Sequence, residues 1–238
     1  MNKKLFIYGL LSSLAIVLFF LNSNPLGTQD SSNIRPSKVE VVKLNRFEQA
    51  SREASVKVTG PSGGHGTGTL VDYYGTTVVF TAKHVTTEGP TYIVTANNGE
   101  YRKAQLFYTD SSVDFSVLLV DDFETIKPVK FKKHNYNSRN FLDLNIIFSG
   151  YPSTHSLLTS RGRVAGYEYN SIIVHAVAWA GSSGSSIFSS DGNFIGILFG
   201  VSTDTPFGFP TIIDNIIWVV PYYNIDWASL NSKIEELE

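Results

Sequence analysis

Ala180-Gly181-Ser182-Ser183-Gly184-Ser185-Ser186-Ile187 holds a serine, Ser183, with glycine two positions before it and one position after it. Gly181 and Gly184 permit backbone conformations and a close approach of other atoms that a side chain would obstruct. A turn of this kind can present Ser183 Oγ as a nucleophile while backbone N–H groups point outward to stabilise an oxyanion. Ser182, Ser185 and Ser186 lack the flanking pair. A hydroxyl near neutral pH also needs a base. Upstream, the apolar strand Val78-Val79-Phe80-Thr81-Ala82 runs through Lys83 into His84. Between them lies Val113-Asp114-Phe115-Ser116-Val117-Leu118-Leu119, an aspartate entering a hydrophobic strand, where a carboxylate can orient that histidine. The chain order His84, Asp114, Ser183 is one of those in which a serine triad occurs.

Each residue has a plainer competitor. His84 taken alone reads as a polar strand-end residue, and only its company makes it a base. Asp110, in Thr109-Asp110-Ser111-Ser112, reads as a turn residue. His65 among glycines, His134 in a basic segment and His155 after Pro152 read as surface loop residues without metal-ligand spacing. His175 reads as a satisfied polar residue on a strand.

These segments resemble the trypsin-like (chymotrypsin-fold) serine peptidases, and most nearly their disulfide-free bacterial HtrA-like and glutamyl-endopeptidase-like branches. Thr81-Ala82-Lys83-His84-Val85 is similar to the family's T-A-x-H segment, Asp114-Phe115-Ser116-Val117-Leu118 to its D-[IFL]-[AS]-[VL]-L segment, and Gly181-Ser182-Ser183-Gly184-Ser185 to its G-x-S-G-[GS] turn. Gly66-Thr67-Gly68-Thr69-Leu70, Gly150-Tyr151-Pro152 and Asp191-Gly192-Asn193-Phe194-Ile195-Gly196-Ile197 resemble three flanking segments. One G-x-S-G is weak, but six segments in order over about residues 60–200 are not. Ser185 and Ser186 stand where many relatives carry Gly and Pro.

The resemblance implies a serine endopeptidase with His84, Asp114 and Ser183 as triad, the backbone N–H groups of Gly181 and Ser183 as oxyanion hole, and no cofactor or metal. It also implies protein or peptide substrates. Relatives that cut after basic residues carry aspartate six positions before the nucleophile, where this chain has Val177. Glutamyl endopeptidases carry histidine in a G-I-H-W-G run, where this chain has Gly196-Ile197-Leu198-Phe199-Gly200. A substrate pocket of Val177, Leu198 and Gly200 is therefore expected to be apolar and to take small or medium side chains such as Val, Ala or Leu. The alternative on the same fold is a peptide-binding pseudoprotease.

Composition agrees with a sheet protein. The 238 residues are 42% hydrophobic, rich in Phe, Tyr and Gly, and contain no cysteine, which excludes disulfides and thiolate chemistry. A net charge of −2 gives no pull toward nucleic acid. Lys127, Lys130, Lys132 and Lys133 read as a solvated linker face.

Lys3 and Lys4 precede Leu5–Leu21, an uncharged apolar run near the short end of the roughly 17–25 residues that span a bilayer. The run ends without an A-x-A-like site, so an uncleaved signal anchor over residues 1–22 is expected, with a cleaved signal peptide and a secreted or periplasmic protein as the alternative. Basic residues on the N-terminal side place that end in the cytoplasm and the folded part outside it.

Residues 23–50 read as linker, with a brief helical turn from Asn45 to Glu53, and 51–238 as the peptidase domain. Strands are expected at Ala54–Thr59, Gly66–Asp72, Thr76–Ala82, Thr91–Ala96, Lys103–Thr109 and Ser116–Val120. A second set is expected at Asn145–Gly150, Leu157–Tyr169, Ile172–Ala176, Ser186–Phe188, Phe194–Phe199 and Ile216–Val220. The pattern by itself supports an all-β sandwich or barrel. The resemblance implies two six-stranded antiparallel β-barrels, at about 51–125 and 140–220, with the site in their cleft. A C-terminal helix follows at about 226–237, with Asp226 as N-cap.

Overall fold

Runs of β-branched and aromatic residues broken by Gly, Asn and Asp form short paired strands in a computed structural model that describes residues 43–132, 140–204 and 211–237. The first six are β1 Ser55–Thr59, β2 His65–Tyr73, β3 Thr76–Thr81, β4 Thr91–Ala96, β5 Tyr101–Thr109 and β6 Ser116–Val120. They follow the order β1-β4-β5-β6-β3-β2, and antiparallel pairing of β1 with β2 closes the ring. After β7, Val129–Lys130, come β8 Asn145–Gly150, β9 Leu158–Glu168, β10 Ser171–His175, β11 Ser186–Ser189, β12 Phe194–Asp204 and β13 Thr211–Pro221. These six close a second antiparallel barrel in the order β10-β13-β12-β11-β8-β9.

Period-2 alternation lets the second barrel serve two cores at once. Ile146 and Phe148 of β8 point into its own core beside Val174, Ile187 and Leu198, while the intervening Ile147 joins the core of the first barrel. Ile187 and Phe188 of β11 divide in the same way. The first core therefore runs from Val56, Leu70, Phe80 and Phe115 into the space between the barrels, and strand ends from both barrels meet at one seam.

Two helices clasp this seam. Helix α1, Arg46–Glu53, starts with a capping box, in which Glu48 N–H donates to Asn45 Oδ1 (2.9 Å) and Asn45 N–H to Glu48 Oε2 (2.8 Å). Although α1 leads directly into β1, its side chains reach the second barrel. Arg161 Nε and Nη2 donate to the Glu48 carboxylate at 2.9 and 2.7 Å, and Arg52 donates to Leu157 O (2.9 Å) and Thr159 Oγ1 (2.7 Å). The Arg161 hydrogen bonds outweigh burial and hold the Glu48 carboxyl below its usual value. Helix α2, Trp227–Glu235, is capped by Asp226 and lays Leu230 and Ile234, four residues apart, into the first core. Burying such side chains contributes about 1.5–3 kcal/mol each.

Two stretches expected as linker carry secondary structure. The helix crosses residue 50, the expected end of the linker, because Leu44 and Phe47 pack on the first core and Glu48 needs its arginine. The lysine-rich segment keeps Lys127, Lys130 and Lys132 solvated as expected, and it also carries a strand: β7 pairs parallel with β2, with Val71 opposite Val129. Val129 and Phe131 turn inward on either side of Lys130, and Phe131 lies 4.9 Å from the Trp227 ring. The expected membrane span at Leu5–Leu21 and His134 lie outside the described residues. Among those described, no helix is long and apolar enough to cross a membrane.

Candidate active site

Antiparallel register brings the expected base and its carboxylate together. Thr81, at the end of β3, lies opposite Ser116, at the start of β6. The chain leaves β3 through Ala82 into a 3-10 turn, Lys83–Thr86, and it enters β6 from Asp114 through Phe115. Phe115 is fully buried, with its ring 5.2 Å from that of Phe80, so the preceding residue faces outward. His84 Nδ1 lies 2.6 Å from Asp114 Oδ2, and His84 N–H donates to Asp114 Oδ1 at 2.9 Å. A carboxylate only accepts, so Nδ1 carries the proton and Nε2 of the neutral ring is left as the basic nitrogen. Burial alone pushes the Asp114 carboxyl up, but the His84 hydrogen bonds and charge, with the Lys83 N–H, hold it below its usual value. The side chains of His84 and Asp114 remain 47% and 26% exposed, which leaves the imidazole open to a substrate.

Asp110 serves as scaffold. It is fully buried, its Oδ1 accepts from Ser112 N–H (2.8 Å) and Val113 N–H (3.1 Å), and its Oδ2 accepts from Asp226 N–H (2.8 Å). The aspartate thus fixes the loop that presents Asp114 and ties it to the start of α2.

The serine turn is shaped by a chain of backbone bonds. Ser182 N–H donates to Trp179 O at 2.9 Å, closing a turn whose third residue, Gly181, has φ +92°. Positive φ at that position alone defines a type II turn and favours glycine. Ser153 N–H holds Ala180 O at 2.6 Å. The C=O and N–H of a trans peptide point in opposite directions, so Gly181 N–H is aimed away from Ser153. Thr67 Oγ1 donates to Gly181 O (2.7 Å) and accepts from Tyr151 N–H (3.0 Å), fixing the next peptide plane. The hydrogen bonds of this turn occupy neither Gly181 N–H nor Ser183 N–H, the two donors expected of an oxyanion hole.

Close approaches seat this turn beside the histidine loop. Gly184, also at φ +92°, sits where a Cβ would run into Thr67 O and Thr81 Oγ1 and lie 3.0 Å from Ala82 N, two residues before His84. Thr67 N–H donates to Ser183 O at 2.8 Å, and a Cβ on Gly66 would lie 3.0 Å from that carbonyl and against the Val85 side chain. Ser183 is thereby held against the strand that flanks residue 85. No hydrogen bond joins Ser183 Oγ to His84 among the described residues.

The expected pocket residues go to different places. Val177 is 55% exposed and, with Phe148, Pro152, Leu158, Trp179 and Ser182, lines a cavity of about 400 Å³ beside the turn. Leu198 is buried in the second core, and its N–H and C=O bond to Ser185 O and Gly184 N–H. Gly200, opposite Trp218 on β13, faces open space, and neither it nor Leu198 lines that cavity.

Sequence reading missed the supports of the turn: Thr67, Ser153, and His65, which is part-buried rather than a free loop residue. The alternation of glycine around Thr67 is the one signal that pointed there.

A family model described as a trypsin-like peptidase domain matches residues 66–197. No curated protein sequence matches the chain significantly. Among solved structures, the fold is similar to an inactive form of Rv3671c from M. tuberculosis, with TM-score 0.61 and 18% identity over 81% of this chain and 91% of that one. It is also similar to a serine endoprotease from Yersinia pestis, with TM-score 0.61 and 22% identity over 82% of this chain and 65% of that one. With a family match over more than half of its length and the two closed barrels that bear it, the chain belongs to the trypsin-like peptidase domain family, the serine endopeptidases.

Proposed function

We propose that the protein is a membrane-anchored serine endopeptidase that works through His84, Asp114 and Ser183 and prefers small or medium apolar residues before the cut. Ser183 Oγ attacks the peptide carbonyl while His84 Nε2 takes its proton. Negative charge then develops on the carbonyl oxygen and is received by the N–H groups of Gly181 and Ser183, an arrangement in which one donor is typically worth about 10²–10³ in turnover. His84 returns the proton to the leaving amine, and Asp114 stabilises the imidazolium while it lasts. Water repeats the sequence on the acyl-enzyme. The observation that carries this reading is the Ala180–Gly181 peptide plane, held by Ser153 so that its N–H is turned away from Ser153 and left without an acceptor in the turn.

The apolar preference is supported by Val177 and the apolar walls beside the turn, where an unpaired charge would be costly to bury. Discrimination among apolar residues is expected to be modest, since one methylene is worth about 1–3 kcal/mol. Anchoring is supported by Lys3 and Lys4 ahead of the uncharged run Leu5–Leu21, which places the peptidase domain on the extracytoplasmic side.

A fluorophosphonate probe tests the chemistry. The full chain should be labelled and cleave peptides, and Ser183→Ala should do neither while keeping its far-UV spectrum. An unlabelled wild type that still binds peptides would establish the pseudoprotease instead. Dominant cleavage of a peptide library after Arg, Lys or Glu would overturn the apolar preference. The full chain should sediment with membranes, whereas a soluble form trimmed beyond Leu21 would establish a cleaved signal peptide.

A further inference from the structure

His65 opens β2 opposite Thr59 and lies two residues before Thr67, so both side chains project from the same face of the strand. That face abuts the loop of the second barrel that carries Tyr151 and Ser153. His65 Nε2 lies 3.1 Å from Tyr151 O. A carbonyl has no proton to give, so Nε2 carries the hydrogen and donates it. The same nitrogen lies 2.9 Å from the point a Cβ on Gly181 would occupy, which places the imidazole directly against the oxyanion turn.

Both ends of the Tyr151 residue are thus held from the first barrel, its N–H by Thr67 Oγ1 and its C=O by His65. Two residues on, Ser153 adopts φ +51°, a conformation that costs a non-glycine residue of order 1–3 kcal/mol and persists only where its surroundings enforce it. It is this residue whose N–H grips Ala180 O. The path is continuous: His65 fixes Tyr151, Tyr151 positions Ser153, and Ser153 sets the peptide whose other end is Gly181 N–H.

We propose that His65 is a positioning residue of the oxyanion hole, acting by donating its Nε2 proton to Tyr151 O. It touches no reacting atom, and its contribution is to the fraction of molecules whose Ala180–Gly181 peptide is correctly turned. This rests on the serine peptidase reading. If the hole is formed by that peptide, losing the donor weakens the transition state and spares the ground state.

The test compares two variants in the full chain. His65→Phe keeps a ring against Gly181 and removes the donor, whereas His65→Gln places an amide N–H near the position of Nε2. His65→Phe should lower kcat about tenfold, the equivalent of about 1.4 kcal/mol, with KM changed by less than about threefold. Its affinity for a peptide boronate, which forms a tetrahedral adduct on serine, should fall by a similar factor, while its affinity for the peptide product stays unchanged. His65→Gln should recover kcat to within about threefold of wild type. Should His65→Phe not fold, His65→Ala takes its place in the same comparison. Wild-type kcat without the donor, a glutamine variant as slow as phenylalanine, or equal losses of boronate and product affinity would each overturn the proposal. A wild type that neither turns over nor takes the fluorophosphonate fails the peptidase reading itself, so the two failures are distinguishable.

Discussion

His84 and Asp114 both belong to the first barrel, where the β3–β6 register already sets Thr81 opposite Ser116. The Ser183 turn belongs to the second barrel, yet it is shaped by Thr67 of the first barrel and by Ser153 of a neighbouring loop. The His84–Asp114 pair is therefore made by one sheet, and the Ser183 turn is made between two. A pair built within a sheet is as stable as that sheet. A turn built across a seam answers to every contact that holds the seam, so its chemistry can be weakened without touching a reacting group.

The sharpest break of that contrast removes the pair. His84→Ala is expected to lower kcat about 10⁶-fold and the double variant with Ser183→Ala no further, because triad members act as a unit. Asp114→Asn should cost about 10⁴-fold. Circular dichroism of all three should match wild type, and steady-state hydrolysis reads the loss. Additive effects in the double variant would deny that the two barrels share one site.

Gly184→Ala attacks the seam itself. Positive φ with a side chain costs about 1–3 kcal/mol, and overpacking against Thr67, Thr81 and Ala82 costs a similar amount. Denaturant unfolding should show both costs together, with peptidase activity falling further than the folded fraction. A variant of wild-type stability would mean the turn does not sit where Gly184 is placed.

Glu48→Gln loosens the helix that joins the chain before β1 to the hairpin β8–β9. Losing the charge-assisted bonds to Arg161 should reduce stability by about 1.5–3 kcal/mol at pH 7. The Glu48 carboxyl is held below its usual value in the folded protein, so its contribution is present above the unfolded pKa and is lost as pH falls through the folded one. Unfolding curves of wild type and variant should therefore converge in acid. A gap that persists below pH 2 would assign the loss to packing rather than charge.

Thr67→Val is the mildest. It keeps the shape and removes the hydroxyl between Gly181 O and Tyr151 N–H, leaving the part-buried carbonyl and the buried N–H without that partner. kcat should fall about tenfold with KM little changed, while the His84–Asp114 pair, followed by the downfield Nδ1 proton resonance, stays as in wild type. A disturbed resonance would show that the two halves of the site are coupled more closely than their separate construction implies.

The bases of these expectations were unequally legible in the chain. Strand positions were readable because β-branched runs between Gly, Asn and Asp leave few alternatives, and β3, β4, β6 and β8 lie within a residue of where that pattern puts them. The extension of β12 to Asp204 and of β13 back to Thr211 was not readable, since strand length is set by the partner as much as by local preference. Asp110 and Asp114 lie four residues apart and are told apart in the sequence by their neighbours, Thr109 and Ser111 for the first, Val113 and Phe115 for the second. The first becomes a buried cap for a loop and the second the partner of His84.

The sequence alone determined the strand sets and the capped helix after Asp226, because side-chain alternation and cap chemistry are local properties, and its family resemblance nominated the trio His84, Asp114 and Ser183. Tertiary structure decided which backbone groups meet across the seam. Only folding brings Thr67 under Gly181 and Ser153 onto Ala180, buries Leu198 while exposing Val177, and turns His65 from an apparent loop residue into a donor for Tyr151. The reason is distance along the chain: His65 and Tyr151 are 86 residues apart, and no period or motif marks that pair until two closed barrels have set their surfaces together.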